Sequence, residues 1–215
     1  MVLKLHGFPS SPCTLRVATA LHEKKLPFEF VNVSLFTGEH KQPEYLKIQP
    51  FGQIPYLEDD DFIVYESRAI GKYLEAKYPS LAPAKSDLRA YGLYEQALSI
   101  EAANFDHFAT IALAEKMFKP MKGLETNETA AKDALAALDG KLDAYNVILG
   151  KQKYLAGDKL TLADLFHLPE GTLLGQIGYE GLTASSRPNV ARWWNEIQGR
   201  ESWVGLKDGV KSVSA

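Results

Sequence analysis

A single cysteine, Cys13, stands among 215 residues, so no disulfide can close within the chain and no cysteine pair offers zinc or dithiol chemistry. That scarcity fits a reducing compartment, and it leaves one thiol as a candidate nucleophile. Long apolar runs are also missing. No stretch approaches the roughly 18–20 apolar residues that a spanning helix needs. The N-terminal Met1-Val2-Leu3-Lys4-Leu5-His6-Gly7 lacks the apolar core of a secretory signal, and Pro9 follows almost at once. A cytoplasmic protein without a membrane partner is expected.

Neither sign of charge dominates. Lys+Arg 24 against Asp+Glu 27 leaves a net charge of −3, which removes the electrostatic case for nucleic acid or an anionic membrane as main partner. The histidines His6, His22, His40, His107 and His167 form no HxxxH or HExxH pair. The acidic run Glu58-Asp59-Asp60-Asp61 lacks the spacing of a calcium loop, so it reads as a solvated turn and no metal is expected. GxGxxG, the P-loop pattern and GxSxG are absent, which removes the motif case for dinucleotides, P-loop nucleotides and α/β-hydrolase chemistry. With 46% hydrophobic and 24% charged residues, the chain has the composition of an ordinary globule.

What is present begins with an alternation of strand and helix. Val2–His6 reads as a short buried strand ending at Gly7. Ser11-Pro12 then has the form of a helix start, serine as N-cap and proline in the first turn, and Leu15, Val17, Ala18, Ala20 and Leu21 make that helix largely apolar. Phe28–Val33 is aromatic and β-branched, a second strand, so the unit is βαβ with parallel strands. Residues 34–50 read mostly as loop with a short helix. Ile54–Leu57 and Phe62–Tyr65 around the acidic turn read as a hairpin, and Ser67–Tyr78 as a helix. The order βαβ-ββα fits a mixed four-stranded sheet of the thioredoxin kind, an α/β domain over residues 1–79.

Pro79–Ser86 carries two prolines and two serines, so residues 80–86 form the expected linker. Beyond it, residues 87–215 read as an all-α domain. Leu135, Leu138, Leu142, Tyr145 and Leu149 keep helical spacing up to Gly150, Thr161–Asp164 resembles a capping box, and a last helix starts at Pro188 and carries Trp193 and Trp194.

The chemistry-bearing place is Phe8-Pro9-Ser10-Ser11-Pro12-Cys13-Thr14, where the first strand passes into the first helix. A helix N-terminus offers free N–H groups and about half a positive charge, which stabilises an anion by up to about 2 kcal/mol. It could activate Cys13, or hold the thiolate of a ligand beside Ser11; equally, Ser11 could be a plain cap and Cys13 a packing residue. Two further segments bear on this. Pro55 in Gly52-Gln53-Ile54-Pro55 cannot donate to a ladder, which would leave the Ile54 backbone to face a ligand. In Glu66-Ser67-Arg68-Ala69-Ile70, Ser67 near a second helix start could hold a carboxylate while Glu66 pairs with an ammonium.

Together, Ser11 before a helix, Gln53-Ile54-Pro55, Glu66-Ser67-Arg68-Ala69-Ile70 and a helical second domain resemble the cytosolic glutathione transferases. Gly38-Glu39-His40-Lys41, Pro50–Pro55, Tyr154–Asp158 and Leu160–Leu165 resemble the phi class more narrowly. The likeness is dense over 1–80 and 154–170 and weak between about 83 and 150.

The resemblance implies a detoxification enzyme with glutathione as co-substrate. Ser11 would donate to its sulfur, His40 and Lys41 would meet the glycyl carboxylate, and Gln53, Ile54 and Pro55 would hold the cysteinyl backbone. Glu66 and Ser67 would take the γ-glutamyl end. It also implies conjugation of hydrophobic electrophiles, a peroxidase side activity, and a homodimer with Phe51 at the interface. Arg16 and Arg68 would add positive potential or form surface ion pairs. An electrophile pocket would draw on Phe8, Ser10 and Phe36, and on Phe105, Phe108, Met117 and Phe118 of the long first helix of the second domain. Pro12-Cys13 departs from the small or hydroxyl residues usual after the class serine. Relatives with a cysteine at this junction exchange disulfides, so a Cys13-dependent thiol transferase is one alternative reading and a non-catalytic carrier of aromatic ligands another. Two positions along a helix turn roughly 200°, so Cys13 is expected to face away from the bound sulfur.

Overall fold

A computed structural model describes residues 2–214, and they divide into two packed units. The first joins residues up to Ser80 with the segment from Arg200 onward; the second runs from Leu81 to Gly199.

In the first unit the order is β1 (Leu3–Gly7), α1 (Pro12–Glu23), β2 (Phe28–Asn32), a 3-10 turn (Glu39–Lys41), α2 (Pro43–Ile48), β3 (Tyr56–Asp59), β4 (Phe62–Tyr65) and α3 (Ser67–Lys77). The sheet order is β2-β1-β3-β4. β1 and β2 are parallel, while β3 is antiparallel to both β1 and β4. This is the mixed four-stranded thioredoxin-like sheet expected from the strand and helix signals. Period-two alternation puts Leu5 and Leu57, both fully buried, on the opposite side of their strands from His6 and Tyr56. α1 and α3 pack on each other and on β1 and β3 through Val17, Ala18, Leu21, Ile70 and Leu74, all with no exposed surface. Tyr56 instead clusters with Val33 and with Tyr45 of α2.

Three local expectations change. β3 starts at Tyr56 rather than Ile54, and it runs to Asp59, so the strand takes in half of the supposed acidic turn. Asp59 is not solvated: it is buried, accepts the Tyr73 hydroxyl at 2.5 Å and pairs with Lys77. The tight turn falls to Asp60, at φ 58°.

The chain's last segment, which the sequence reading gave to the helical domain, belongs to the first unit. A short helix α10 (Glu201–Val204) packs on α1, where Glu23 accepts Arg200 Nε at 2.9 Å and the Ser202 hydroxyl at 2.6 Å. Val213 then pairs with Phe28 and covers the open edge of β2, with bonds of 3.0 and 2.9 Å. No local pattern signals this return, because its partners lie more than 170 residues away.

The second unit is helical. α4 (Leu88–Ile100) continues through a π segment (Glu101–Asp106), α5 (His107–Leu113) and another π segment (Ala114–Phe118), and is followed by α6 (Glu128–Leu149), α7 (Leu162–Leu165), α8 (Leu168–Gln176) and α9 (Pro188–Gln198). α6 and α9 match the spacing read from sequence, with Leu138, Leu142, Tyr145, Leu149, Trp193 and Trp194 buried. The capping box is present at Thr161 and Asp164. Fully buried, Asp164 accepts from Leu155 N, Thr161 N, Thr161 Oγ1 and Trp193 Nε1 at 2.9–3.0 Å. Burial drives its carboxyl upward and these donors oppose the rise. None of the described helices is long and apolar enough to cross a membrane.

Candidate functional site

The sheet register gathers three separate loops at one edge of the first unit. His6, one residue before the end of β1, pairs with Tyr56, the first residue of β3; Tyr56 pairs in turn with Tyr65, the last residue of β4. The turn after β1, the loop before β3 and the turn after β4 therefore meet. They carry Ser11, Gln53-Ile54-Pro55 and Glu66-Ser67.

Ser11 holds the N-cap position of α1, with Pro12 next, as its sequence signal predicts. Yet its side chain makes no capping hydrogen bond. The residue is half-exposed, at the N-terminus of a twelve-residue helix whose first-turn N–H groups have no partner within the helix. Backbone bonds set its place: Ser11 N donates to Phe8 O at 3.1 Å and Leu15 N to Ser11 O at 2.8 Å. Ser11 is thus the N-cap by its backbone position, while its side chain does no capping.

Around the turn lie Phe8, Ser10 and Phe36. The Phe8 and Phe36 rings meet edge to face at 5.5 Å, Phe36 is 90% exposed, and Ser10 is exposed. Cys13 is half-buried, with Sγ 3.6 Å from Arg16 Nη1. Arg16 itself is 1% exposed and donates to Ser67 Oγ at 2.9 Å. This corrects the surface-ion-pair reading of Arg16. Its burial had no sequence signal beyond its place among Val17, Ala18 and Ala20.

The Ile54–Pro55 peptide is cis. Ile54 falls outside the strand pairings, and its side chain packs against the Val33–Tyr45–Tyr56 cluster while Gln53 is exposed. The loop is held from below, with Tyr45 Oη donating to Gln53 O at 2.7 Å and the buried Gln49 accepting Gln53 N at 3.2 Å. Lys41 Nζ donates to Gly52 O at 2.6 Å and Phe51 O at 3.3 Å, which joins the 3-10 turn to this loop. Gly52 has φ +59°, and a Cβ there would lie 2.8 Å from His40 O, so the close approach requires glycine. His40 is half-buried with Nδ1 lacking a partner; burial, then the Lys41 charge, holds its imidazole below the ordinary range.

Glu66 is the N-cap of α3 at φ 71°, a left-handed conformation that a non-glycine residue adopts at a cost of about 1–3 kcal/mol. It is exposed, and Ser67 behind it is buried. Phe51 is 65% exposed, its ring edge toward Tyr65, and so is no core residue.

In the second unit, Phe105 does not fit the pocket expected for it. It lies in the π segment, is fully buried, and its ring packs on His167 at 4.6 Å. Phe108, Met117 and Phe118 are half-buried, with Lys141 over the Phe108 ring at 5.7 Å.

The glutathione S-transferase N-terminal domain profile matches residues 1–76 and the C-terminal domain profile residues 102–201. The chain is 49% identical over 199 residues to glutathione S-transferase PM239X14 of Arabidopsis thaliana, covering 90% of each chain. The crystal structure of glutathione transferase F7 from Populus trichocarpa superposes with a TM-score of 0.90 at 38% identity, covering 96% of this chain and 98% of that one. Glutathione S-transferase I from mais, in complex with an atrazine glutathione conjugate, superposes with a TM-score of 0.89 at 33% identity over 96% of each. A sheet edge presenting an uncapped serine, a cis proline and a glutamate–serine turn thus coincides with full-length similarity, and the chain belongs to the glutathione S-transferase family, in its phi class.

Proposed function

We propose that the protein binds glutathione at this sheet edge and conjugates it, through its sulfur, to hydrophobic electrophiles. The observation that carries the reading is Ser11, placed as an N-cap but with its hydroxyl outside the capping pattern. A hydroxyl so placed can donate to a sulfur, and the helix N-terminus favours the thiolate over the thiol. The thiolate attacks the electrophilic carbon, a sulfur–carbon bond forms, and the leaving group departs with the bonding electrons. Holding the two reactants together supplies the rest of the acceleration. With an organic hydroperoxide, two glutathiones would yield the alcohol, water and glutathione disulfide.

The remaining residues suit the rest of the tripeptide. In this reading His40 and Lys41 would meet the glycyl carboxylate, the backbone of Gln53 and Ile54 would pair with the cysteinyl peptide, and Glu66 and Ser67 would hold the ammonium and carboxylate of the γ-glutamyl group. Phe8 and Phe36 would offer an apolar wall for the electrophile, with the Ser10 hydroxyl beside them. The exposed Phe51 suits insertion into a second copy, so the reading includes a homodimer. Its setting is the cytoplasm, where glutathione is plentiful.

The arginine beside Cys13 favours one second reading, since a cation stabilises a thiolate: a Cys13-dependent thiol transferase. Ser11→Ala and Cys13→Ser, assayed for conjugation and for thiol–disulfide exchange, separate the two. Ser11→Ala is expected to lose roughly 10- to 100-fold in kcat/KM for conjugation, the worth of a hydrogen bond to a charged group. Full conjugation by Ser11→Ala together with loss in Cys13→Ser would reverse the assignment.

A further inference from the structure

Arg16 is the one cation among the described residues of α1 that is almost completely buried, at 1% exposure. A buried charge is costly unless it is hydrogen-bonded, and its neighbours Val17, Ala18 and Ala20 show what this helix face ordinarily carries. Its guanidinium crosses from α1 to the first residue of α3, where Nη1 donates to Ser67 Oγ at 2.9 Å, with Cys13 Sγ 3.6 Å away.

Guanidinium has donors only, so Ser67 Oγ must be the acceptor in this bond and its own proton is left to donate elsewhere. The Ser67 backbone N–H belongs to the first turn of α3, which has no partner within the helix. Exposed Glu66 precedes it. One turn therefore offers an O–H and an N–H beside a carboxylate: the complement of an α-amino acid group.

We infer that Arg16 is a positioning residue that orients the Ser67 hydroxyl toward the α-carboxylate of the γ-glutamyl group. The inference rests on the glutathione reading and adds to it a residue that need not touch the ligand. A residue serving only to join α1 to α3 would affect all ligands alike. Arg16, acting through Ser67, affects only ligands that bear that carboxylate.

The test compares glutathione with 4-aminobutyryl-cysteinylglycine, which lacks this carboxylate, by calorimetry on wild type, Arg16→Met, Arg16→Lys and Ser67→Ala. Wild type is expected to prefer glutathione by about tenfold or more, as for a hydrogen bond to a charged group. Arg16→Met and Ser67→Ala should lose most of that preference by weakening glutathione alone. KM for glutathione should rise more than kcat falls. Arg16→Lys, which keeps the charge but not the forked geometry, should fall between. Should the Met variant fail to fold, Arg16→Lys and Ser67→Ala decide. Preference retained in full by Arg16→Lys, or equal weakening of both ligands in any folded variant, overturns the inference alone. Binding of neither ligand by wild type at millimolar concentration overturns the glutathione reading with it.

Discussion

The backbone N–H of Val210 donates to the carbonyl oxygen of Pro9 at 3.1 Å, so the end of the chain braces the turn that presents Ser11. Gly209 makes the approach possible: it has φ +84°, and a Cβ there would stand 3.1 Å from Pro9 Cβ. Arg200 and Ser202 grip Glu23 at the other end of the same helix. α1 is thus held at both ends by residues far away in sequence.

Removing residues 208–215 deletes the Pro9 brace and the strand pairing at Phe28. The thermal midpoint should fall by several degrees, corresponding to about 1–3 kcal/mol. Conjugation should fall severalfold because the Ser11 turn loosens. Calorimetry and a glutathione thiol titration read the two effects. An unchanged midpoint and an unchanged thiol titration would show that the tail braces nothing.

The His40 imidazole, held low by burial and then by Lys41, is neutral near pH 7 in the free protein. A carboxylate bound beside it favours the protonated ring and raises its pKa in the complex. Affinity for S-methylglutathione, which has no thiol to titrate, should therefore strengthen as pH falls from about 7 toward about 5. In His40→Gln the slope should vanish. A flat profile in wild type would remove His40 from the carboxylate site.

Gly52→Ala forces a side chain into a left-handed turn and against His40 O. A cost of about 1–3 kcal/mol is expected. Affinity for glutathione should fall with it, since Lys41 and Gln53 are tied to this turn. Denaturant unfolding and glutathione titration together check it; wild-type values in both would refute the close-approach account.

Asp164→Ala removes the acceptor shared by Leu155, Thr161 and Trp193. The loss should reach about 3–5 kcal/mol, as for breaking a buried charged network, while Thr161→Ala should lose about 1 kcal/mol. Thermal unfolding ranks the pair. Equal losses would mean that the donors find other partners.

Much of this was legible because the signals were local. Ser11-Pro12, the 3.6-residue spacing over Leu135–Leu149 and Pro188 before two tryptophans each state a helix within one or two turns, and the βαβ-ββα order follows from short apolar runs. The candidate site was legible as three separate segments. Misreadings arose where a residue's fate depends on a distant partner: Asp59 reads as part of a turn but is closed on by Lys77 and Tyr73, and Phe105 reads as a pocket residue but is buried against His167.

A single cysteine excludes an intrachain disulfide and metal clusters of cysteine, and the sequence by itself determined the order of elements and the residue types at the site. Only the tertiary structure decided which hydroxyl is free, that Arg16 is buried beneath Ser67, and that the chain's end returns to brace Pro9. The physical reason is common to all three. Helical and strand periods are properties of neighbouring residues, whereas hydrogen-bond partners and burial are settled by what the folded chain brings alongside.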